Sequence, residues 1–329
     1  MTMSGPGIPE GAVYGTIAVD TEDATKVTIK PKSGNETAGL AGNFTFTEVE
    51  GVLEDLAGNA IDEVTAVLVV DPPQDRPVYI RESGVCYEDI QAAITGASAG
   101  NTIILGLGAF EEPLTINKSL AILGVNADND PSTEDFIDVG SVVYGGIKIT
   151  GGDVTLKGLT IKNKGILASG VTRLELSNNK ILGIGNAQED TPAGSIVGLD
   201  VASASGLITV DKNVFSSIGV IDGAGTAIRI VKAQDSIRIT NNIIRDVTKN
   251  GINIYSNCLT QEGAVLTIAH NVIENWDLDR DQAVEGNEGI GGRAVRIEFV
   301  GAVSSATASI RENKFVPPIY NGTQTPVDS

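Results

Sequence analysis

Between residues 154 and 315 the apolar and polar positions repeat one eight-residue phrase, apolar-x-apolar-x-x-Asn-x-apolar. It occurs at 154–161 (VTLKGLTI), 174–181 (LELSNNKI), 208–215 (ITVDKNVF), 237–244 (IRITNNII), 266–273 (LTIAHNVI) and 308–315 (ASIRENKF). Five copies carry Asn at the sixth position, namely Asn179, Asn213, Asn242, Asn271 and Asn313, and the first has Leu159 there. Strict alternation over a few residues predicts short strands with one face buried and one exposed. Apolar residues three and four apart, which a helix would need, do not recur in this region.

The ladder positions are separated by 20, 34, 29, 29 and 42 residues. That spacing is a solenoid period of about 20–30 residues with insertions. A strand returning to its own sheet within so short a span must wind, so consecutive copies are expected to pair in parallel, coil upon coil. Asn suits the bend after each strand because it tolerates left-handed backbone angles, and its amide can bond to the Asn of the next coil.

The N-terminal region has a different grammar. Residues 26–30 (KVTIK), 43–47 (NFTFT) and 65–70 (TAVLVV) alternate like antiparallel strands, and 51–59 (GVLEDLAGN) supplies a turn-rich connection. Residues 71–77 (DPPQDRP) read as a linker. The organisation expected is therefore a β segment over 1–70, a linker over 71–77, a solenoid over 78–316 and a tail over 317–329.

The stretches 87–94 (YEDIQAAI), 99–105 (AGNTIIL) and 110–124 (FEEPLTINKSLAILG) resemble the entry to a pectin-lyase-like right-handed parallel β-helix. The resemblance implies an all-β, single-stranded parallel β-helix whose open end is capped by a short amphipathic helix, with Ile90, Ala93 and Ile94 on its inner side. The segment 12–70, with its phrase EDLAGN at 54–59, resembles the C-terminal part of a bacterial immunoglobulin-like domain of the surface-layer type. About 60 residues are present where such a sandwich needs about 100. The β-helix fold hosts lyases, hydrolases, epimerases, adhesins and structural proteins, so resemblance alone does not choose an activity.

Composition narrows the partners. Hydrophobic residues make up 41% and aromatics only 4%, as expected where aliphatic side chains stack in files inside narrow coils. A net charge of −19 argues against nucleic acid and anionic membrane surfaces. No run approaches the roughly 18 apolar residues of a membrane span. The start, MTMSGP, lacks the basic and apolar parts of a signal peptide, and the expectation is an excised piece of a longer extracellular, cell-surface protein. Cys86 and Cys258 fall in the cap and in a distant coil and are expected to be free thiols.

A second strand of each coil carries an in-out-in pattern at 199–201, 228–230, 252–254 and 295–297. Asp200, Arg229, Asn253 and Arg296 should then project from one face, about 4.8 Å apart per coil, with Lys232 and Glu298 just beyond. In family members that cleave acidic polysaccharides, sugar lies across such a face, carboxylate-held calcium neutralises the uronate, and an Arg or Lys removes the adjacent proton. Carried onto this chain, Arg229 is the base, Arg296, Asn253 and Lys232 bind substrate, and Asp200 binds substrate and holds metal. The alternative is an Asp200–Arg229 ion pair on a solvated sheet. The lone His270 is expected on the surface, beside a turn.

The insertion at 277–288 places Asp277, Asp279, Asp281, Glu285 and Glu288 at the first, third, fifth, ninth and twelfth positions of a calcium loop. Gln282 stands where that loop uses Gly, so the segment reads as a Ca2+-binding insertion rather than an EF-hand, with a solvated acidic loop as the alternative. Residues 126–135, with Asp128, Asp130, Glu134 and Asp135, form a weaker acidic insertion.

Three function classes follow. The first is a non-enzymatic surface-layer, fibre or adhesive protein, calcium-bridged, whose partners are copies of itself or neighbouring surface-protein domains. The second is a calcium-dependent polysaccharide lyase or related carbohydrate-active enzyme. The third is a carbohydrate-binding module without turnover. The Pro-containing tail 317–329 is expected to blunt the last coil, whose open backbone would otherwise invite pairing.

Overall fold

In the computed structural model, the described residues are 78–138, 140–186, 195–220, 224–255, 257–277, 292–298 and 301–317, with strands at 2–4, 14–19, 27–31, 42–47, 63–68, 319–320 and 323–324. The chain divides into two units, Met1–Glu88 and Asp89–Ser329. In the first, Gly42–Thr47 pairs antiparallel with Thr2–Ser4 on one side and Glu63–Leu68 on the other. Tyr14–Val19 and Val27–Pro31 form an antiparallel ribbon, and Val78–Ile80 pairs antiparallel with Cys86–Tyr87. The alternating N-terminal stretches are thus antiparallel strands.

The second unit is a right-handed parallel β-helix of three sheets. Each full coil contributes one strand to each sheet in turn, for example Val171–Ser177 to the first, Lys180–Asn186 to the second and Ser195–Val201 to the third. Pairing is parallel and in register from coil to coil. Leu156 lies over Leu176, Leu176 over Val210, Val210 over Ile239 and Ile239 over Ile268. All five are 0% exposed, as are Ile161, Ile181, Phe215, Ile244 and Ile273 in the second sheet. Burying each such side chain contributes about 1.5–3 kcal/mol, so the files, rather than any single contact, hold the coils together. At the last coil the same inward positions, Ile310 and Phe315, are 50% and 37% exposed.

Phe215 is the one aromatic in its local stack, between Ile181 and Ile244. Gly198 in the facing strand makes room for it. A Cβ there would lie 3.1 Å from Phe215 Cδ1 and 2.7 Å from Ala227 O, closer than side-chain atoms tolerate.

The capping helix spans Ile90–Gly96, with Ile90, Ala93 and Ile94 buried as the spacing predicts. Asp89 caps it by accepting from the Ala92 amide at 2.6 Å. Gln91 acts as a surrogate strand: its Oε1 accepts from Thr115 N at 2.7 Å and its Nε2 donates to Thr115 O at 3.3 Å. Lys118 Nζ donates to the free carbonyls of Thr95 and Ala97 at the helix end.

The asparagine ladder is continuous and buried. Nδ2 of Asn179, Asn213, Asn242 and Asn271 each donates to Oδ1 of the Asn one coil on, at 2.9–3.0 Å. The same oxygens accept the backbone amides of the preceding coil, beginning with Leu159 N to Asn179 Oδ1 at 2.9 Å. Nδ2 also reaches main-chain carbonyls, as from Asn242 to Val210 O and Thr240 O. Leu159 can stand at the head of the ladder because it needs only to donate its own amide.

The expected reason for Asn at the bend requires correction. The left-handed residue is the one before it: Gly158, Asn178, Lys212, Asn241, His270 and Glu312 have φ of 70, 53, 53, 56, 57 and 55°. This leaves the ladder Asn free to turn its amide inward, where the narrow bend strands amides and carbonyls that only a buried donor-acceptor group satisfies. Gly158 is required for a second reason, since a Cβ there would meet Ala127 N at 2.1 Å.

The insertion after the strand Leu120–Leu123 is stapled by Asn126, which is 0% exposed. Its Oδ1 accepts from Ile137 N and its Nδ2 donates to Ile137 O. Asp130 accepts from the Ser132 amide and hydroxyl. Its carboxyl is held below the usual range, against the opposing effect of burial, by those two bonds and by the charge of Lys212. Among the described residues no helix is long and apolar enough to cross a membrane, and no disulfide forms.

Candidate functional site

The third sheet stacks Asp200, Arg229, Asn253 and Arg296 in a single register column. Alternation puts their flanking residues into the core, with Leu199, Val201, Ile228, Ile230 and Ile252 all 0% exposed. The column continues upward through Leu167 to Lys148. It is therefore not a uniformly charged strip.

Arg229 Nε donates to Asp200 Oδ1 at 2.8 Å, and its Nη2 donates to Asp200 Oδ2. Exposure decides how this pair behaves: the Asp200 side chain is 3% and the Arg229 side chain 12% exposed. The hydrogen bonds it donates to Asp200 push the guanidinium pKa further up, more strongly than burial pulls it down, with added help from the charges of Asp200 and Tyr255. The pair is thus a desolvated fork rather than a solvated contact. Both carboxylate oxygens of Asp200 accept from the one guanidinium in this arrangement.

Asn253 is 2% exposed, and its Oδ1 has no hydrogen-bond partner. Arg296 is more open, with its guanidinium bonded to Glu298 and lying 5.9 Å from the Tyr255 ring centre. Arg229, Asn253 and Arg296 share a recess of about 110 Å³ with Lys249, Tyr255, Asn250, Thr226 and Val197. Lys232 is not among its lining residues. It sits exposed after the strand Ala224–Ile230, at φ 52°, and its carbonyl accepts from Ala204 N.

Lys249 and Tyr255 are the residues of this recess that sequence reasoning passed over. Both are an even number of positions from Asn253, so period-two alternation places them on its face. Both were hidden because they flank the strand Asn250–Ile254 rather than belonging to its in-out-in triplet.

Asp277 is 7% exposed at φ 63°, immediately after the strand Val272–Trp276. Its proposed companions Asp279, Asp281, Glu285 and Glu288 lie outside the described residues. Among the described residues no three His, Cys, Asp or Glu side chains converge on a metal position. His270 is surface-exposed, with Nε2 2.9 Å from Glu312 Oε2 and Arg311 Nη1 at 3.4 Å.

No curated protein sequence and no solved structure matches this chain. Residues 136–315, more than half of its length, match the family described as the right handed beta helix region. With the three in-register parallel sheets and the buried ladder, that match identifies the chain as a member of the right-handed β-helix family.

Proposed function

We propose that this protein is a non-catalytic, extracellular structural or adhesive β-helix of the cell surface. The observation that carries this reading is the commitment of Arg229 to Asp200. A base that removes a proton must spend part of its time neutral, and the buried fork drives the guanidinium the other way. The lyase reading would need that pair to open, at the cost of an unpaired buried carboxylate. The antiparallel N-terminal unit supports an immunoglobulin-like module of the surface-layer type. The net charge of −19 and the acidic insertion at 277–288 support assembly through Ca2+, with copies of the same chain or neighbouring surface domains as partners.

A carbohydrate-binding role without turnover is the second reading. It is favoured by the recess where Lys249, Arg296 and the Tyr255 ring meet the unpartnered Asn253 amide oxygen.

Calcium titration followed by light scattering and negative-stain imaging tests the first reading. Reversible ordered assemblies that EDTA dissolves, and that an Asp279→Asn/Asp281→Asn variant cannot form, are expected. A chain that stays monomeric at millimolar calcium and releases unsaturated products from a polyuronide would overturn it.

A further inference from the structure

The last described coil is open on one side. The three sheets of the solenoid end on the strands Val295–Ile297, Thr307–Arg311 and Lys314–Val316, each paired with the preceding coil only. The inward file that is closed at Leu266, Ile268 and Ile273, all 0% exposed, continues onto Ala308, Ile310 and Phe315, which are all exposed. The outer edges of these strands carry backbone N–H and C=O groups with no ladder to join.

The asparagine ladder is open at the same place. Asn271 gives both its main-chain N and its Nδ2 to Asn313 Oδ1, whereas Ile268 O is the one acceptor of the Asn313 side chain among the described residues. An apolar file, a sheet edge and amide donors therefore meet on one surface. What fits all three is another β coil, whose carbonyls accept and whose inward side chains complete the file.

The choice among such coils is narrow. The strands that follow, Ile319–Tyr320 and Thr323–Gln324, pair with each other in a separate sheet and not with the open coil. The first coil of a second copy is closed to it, because the helix Ile90–Gly96 turns Ile90, Ala93 and Ile94 inward there and Gln91 occupies both Thr115 N and Thr115 O. The open coil of a second copy has no such cover.

We infer that two copies of this chain join face to face through their last coils about a two-fold axis, with Thr307–Arg311 of one copy antiparallel to Thr307–Arg311 of the other. This deepens the self-assembly reading above by giving it a contact surface, and it uses no calcium. In a two-fold contact the central residue meets itself, and centring on Ser309 gives the five-residue strand its full overlap. Ala308 then faces Ile310 of the second copy, so inward residues stay inward and the apolar file runs through the junction. Thr307 faces Arg311 of the second copy, which holds the two Arg311 positions about 14 Å apart along the strands and keeps like charges from meeting. Displacing the centre by half a residue would set Ile310 against the outward Ser309 and break the file. With the first coil capped, the contact closes at two copies.

Sedimentation velocity of the full chain in EDTA, over about 1–100 μM, tests this. Reversible exchange between monomer and dimer is expected, with no larger species. Phe315→Asp, at a position already 37% exposed, should raise the dissociation constant by about tenfold or more and leave the thermal melt unchanged. Ser309→Cys in a Cys86→Ser chain should give a disulfide-linked dimer on mild oxidation, since opposed antiparallel residues lie about 4.5–5.5 Å apart between Cα atoms, within the span of a disulfide. Thr209→Cys, three coils back in the same register column, should not. A chain that stays monomeric throughout, filaments that keep growing, a Phe315→Asp chain that dimerises like its parent, or equal cross-linking through Thr209→Cys would each overturn the inference. So would slow amide hydrogen exchange over 307–316 in the monomer, the sign of a chain that covers its own last coil. Association that appears only when calcium is restored overturns it as well while supporting the calcium reading, so the two fail separately.

Discussion

Arg229 and Asp200 share two hydrogen bonds across adjacent coils of the third sheet, and both side chains are nearly closed off from water. The consequence is asymmetric. The two charges neutralise one another in place, but either alone is a buried ion without a counter-ion. Arg229→Leu or Asp200→Leu should therefore each destabilise the fold by about 3–5 kcal/mol, while Asp200→Leu/Arg229→Leu should cost much less. Chemical denaturation of the four proteins in a double-mutant cycle measures this, and additive single effects would show that the pair does not act as a unit.

The ladder predicts a positional gradient. Asn242→Ala removes the acceptor for both Asn213 N and Asn213 Nδ2 in the buried interior, and should cost about 2–3 kcal/mol or more. Asn313→Ala, at the partly exposed end, should cost less. Equal losses of midpoint stability for the two variants would refute a cooperative ladder.

Phe215→Ala should destabilise by about 3–5 kcal/mol through the cavity it leaves. Gly198→Ala should also destabilise, for the opposite reason, because its methyl meets Phe215 and the Ala227 carbonyl. Combining Gly198→Ala with Phe215→Leu should recover part of the loss. Thermal melts of the two single variants and the double variant decide whether the two positions are steric partners.

Burial raises the Cys258 thiol pKa, more than the backbone amides of Ala233 and Lys232 lower it. Its folded value lies above its unfolded one, so this contribution to stability is intact below the ordinary thiol range and is lost as pH rises through the raised value. In the native protein Cys258 should react with a disulfide reagent more slowly than the half-buried Cys86, and the two should converge in denaturant. Rate measurements on Cys86→Ser and Cys258→Ser assign the phases; fast native labelling of Cys258 would contradict its placement in the core.

The fold was legible because a β-helix writes its register into the sequence once per coil. Ile90, Ala93 and Ile94 marked the cap, and Asn179 to Asn313 marked the bends, since each residue type answers a local demand of burial or hydrogen bonding. What escaped was how adjacent coils close over a side chain, and which of two neighbouring residues takes the left-handed bend. Alternation placed Asp200 and Arg229 on one face, but not that they would be desolvated, which reverses the electrostatic meaning of an arginine. The left-handed role was read into the ladder Asn, when the residue before it carries the positive φ.

The column of left-handed residues has a further implication. Gly158, Asn178, Lys212, Asn241, His270 and Glu312 occupy one backbone state with neutral, cationic, imidazole and anionic side chains. The residues that follow them, Asn in five coils and Leu159 in the first, do the structural work, which leaves this column open to substitution wherever no backbone crowds the Cβ. Surface identity can therefore be rewritten one coil at a time, as on a row of interchangeable type, while the core reads the same underneath.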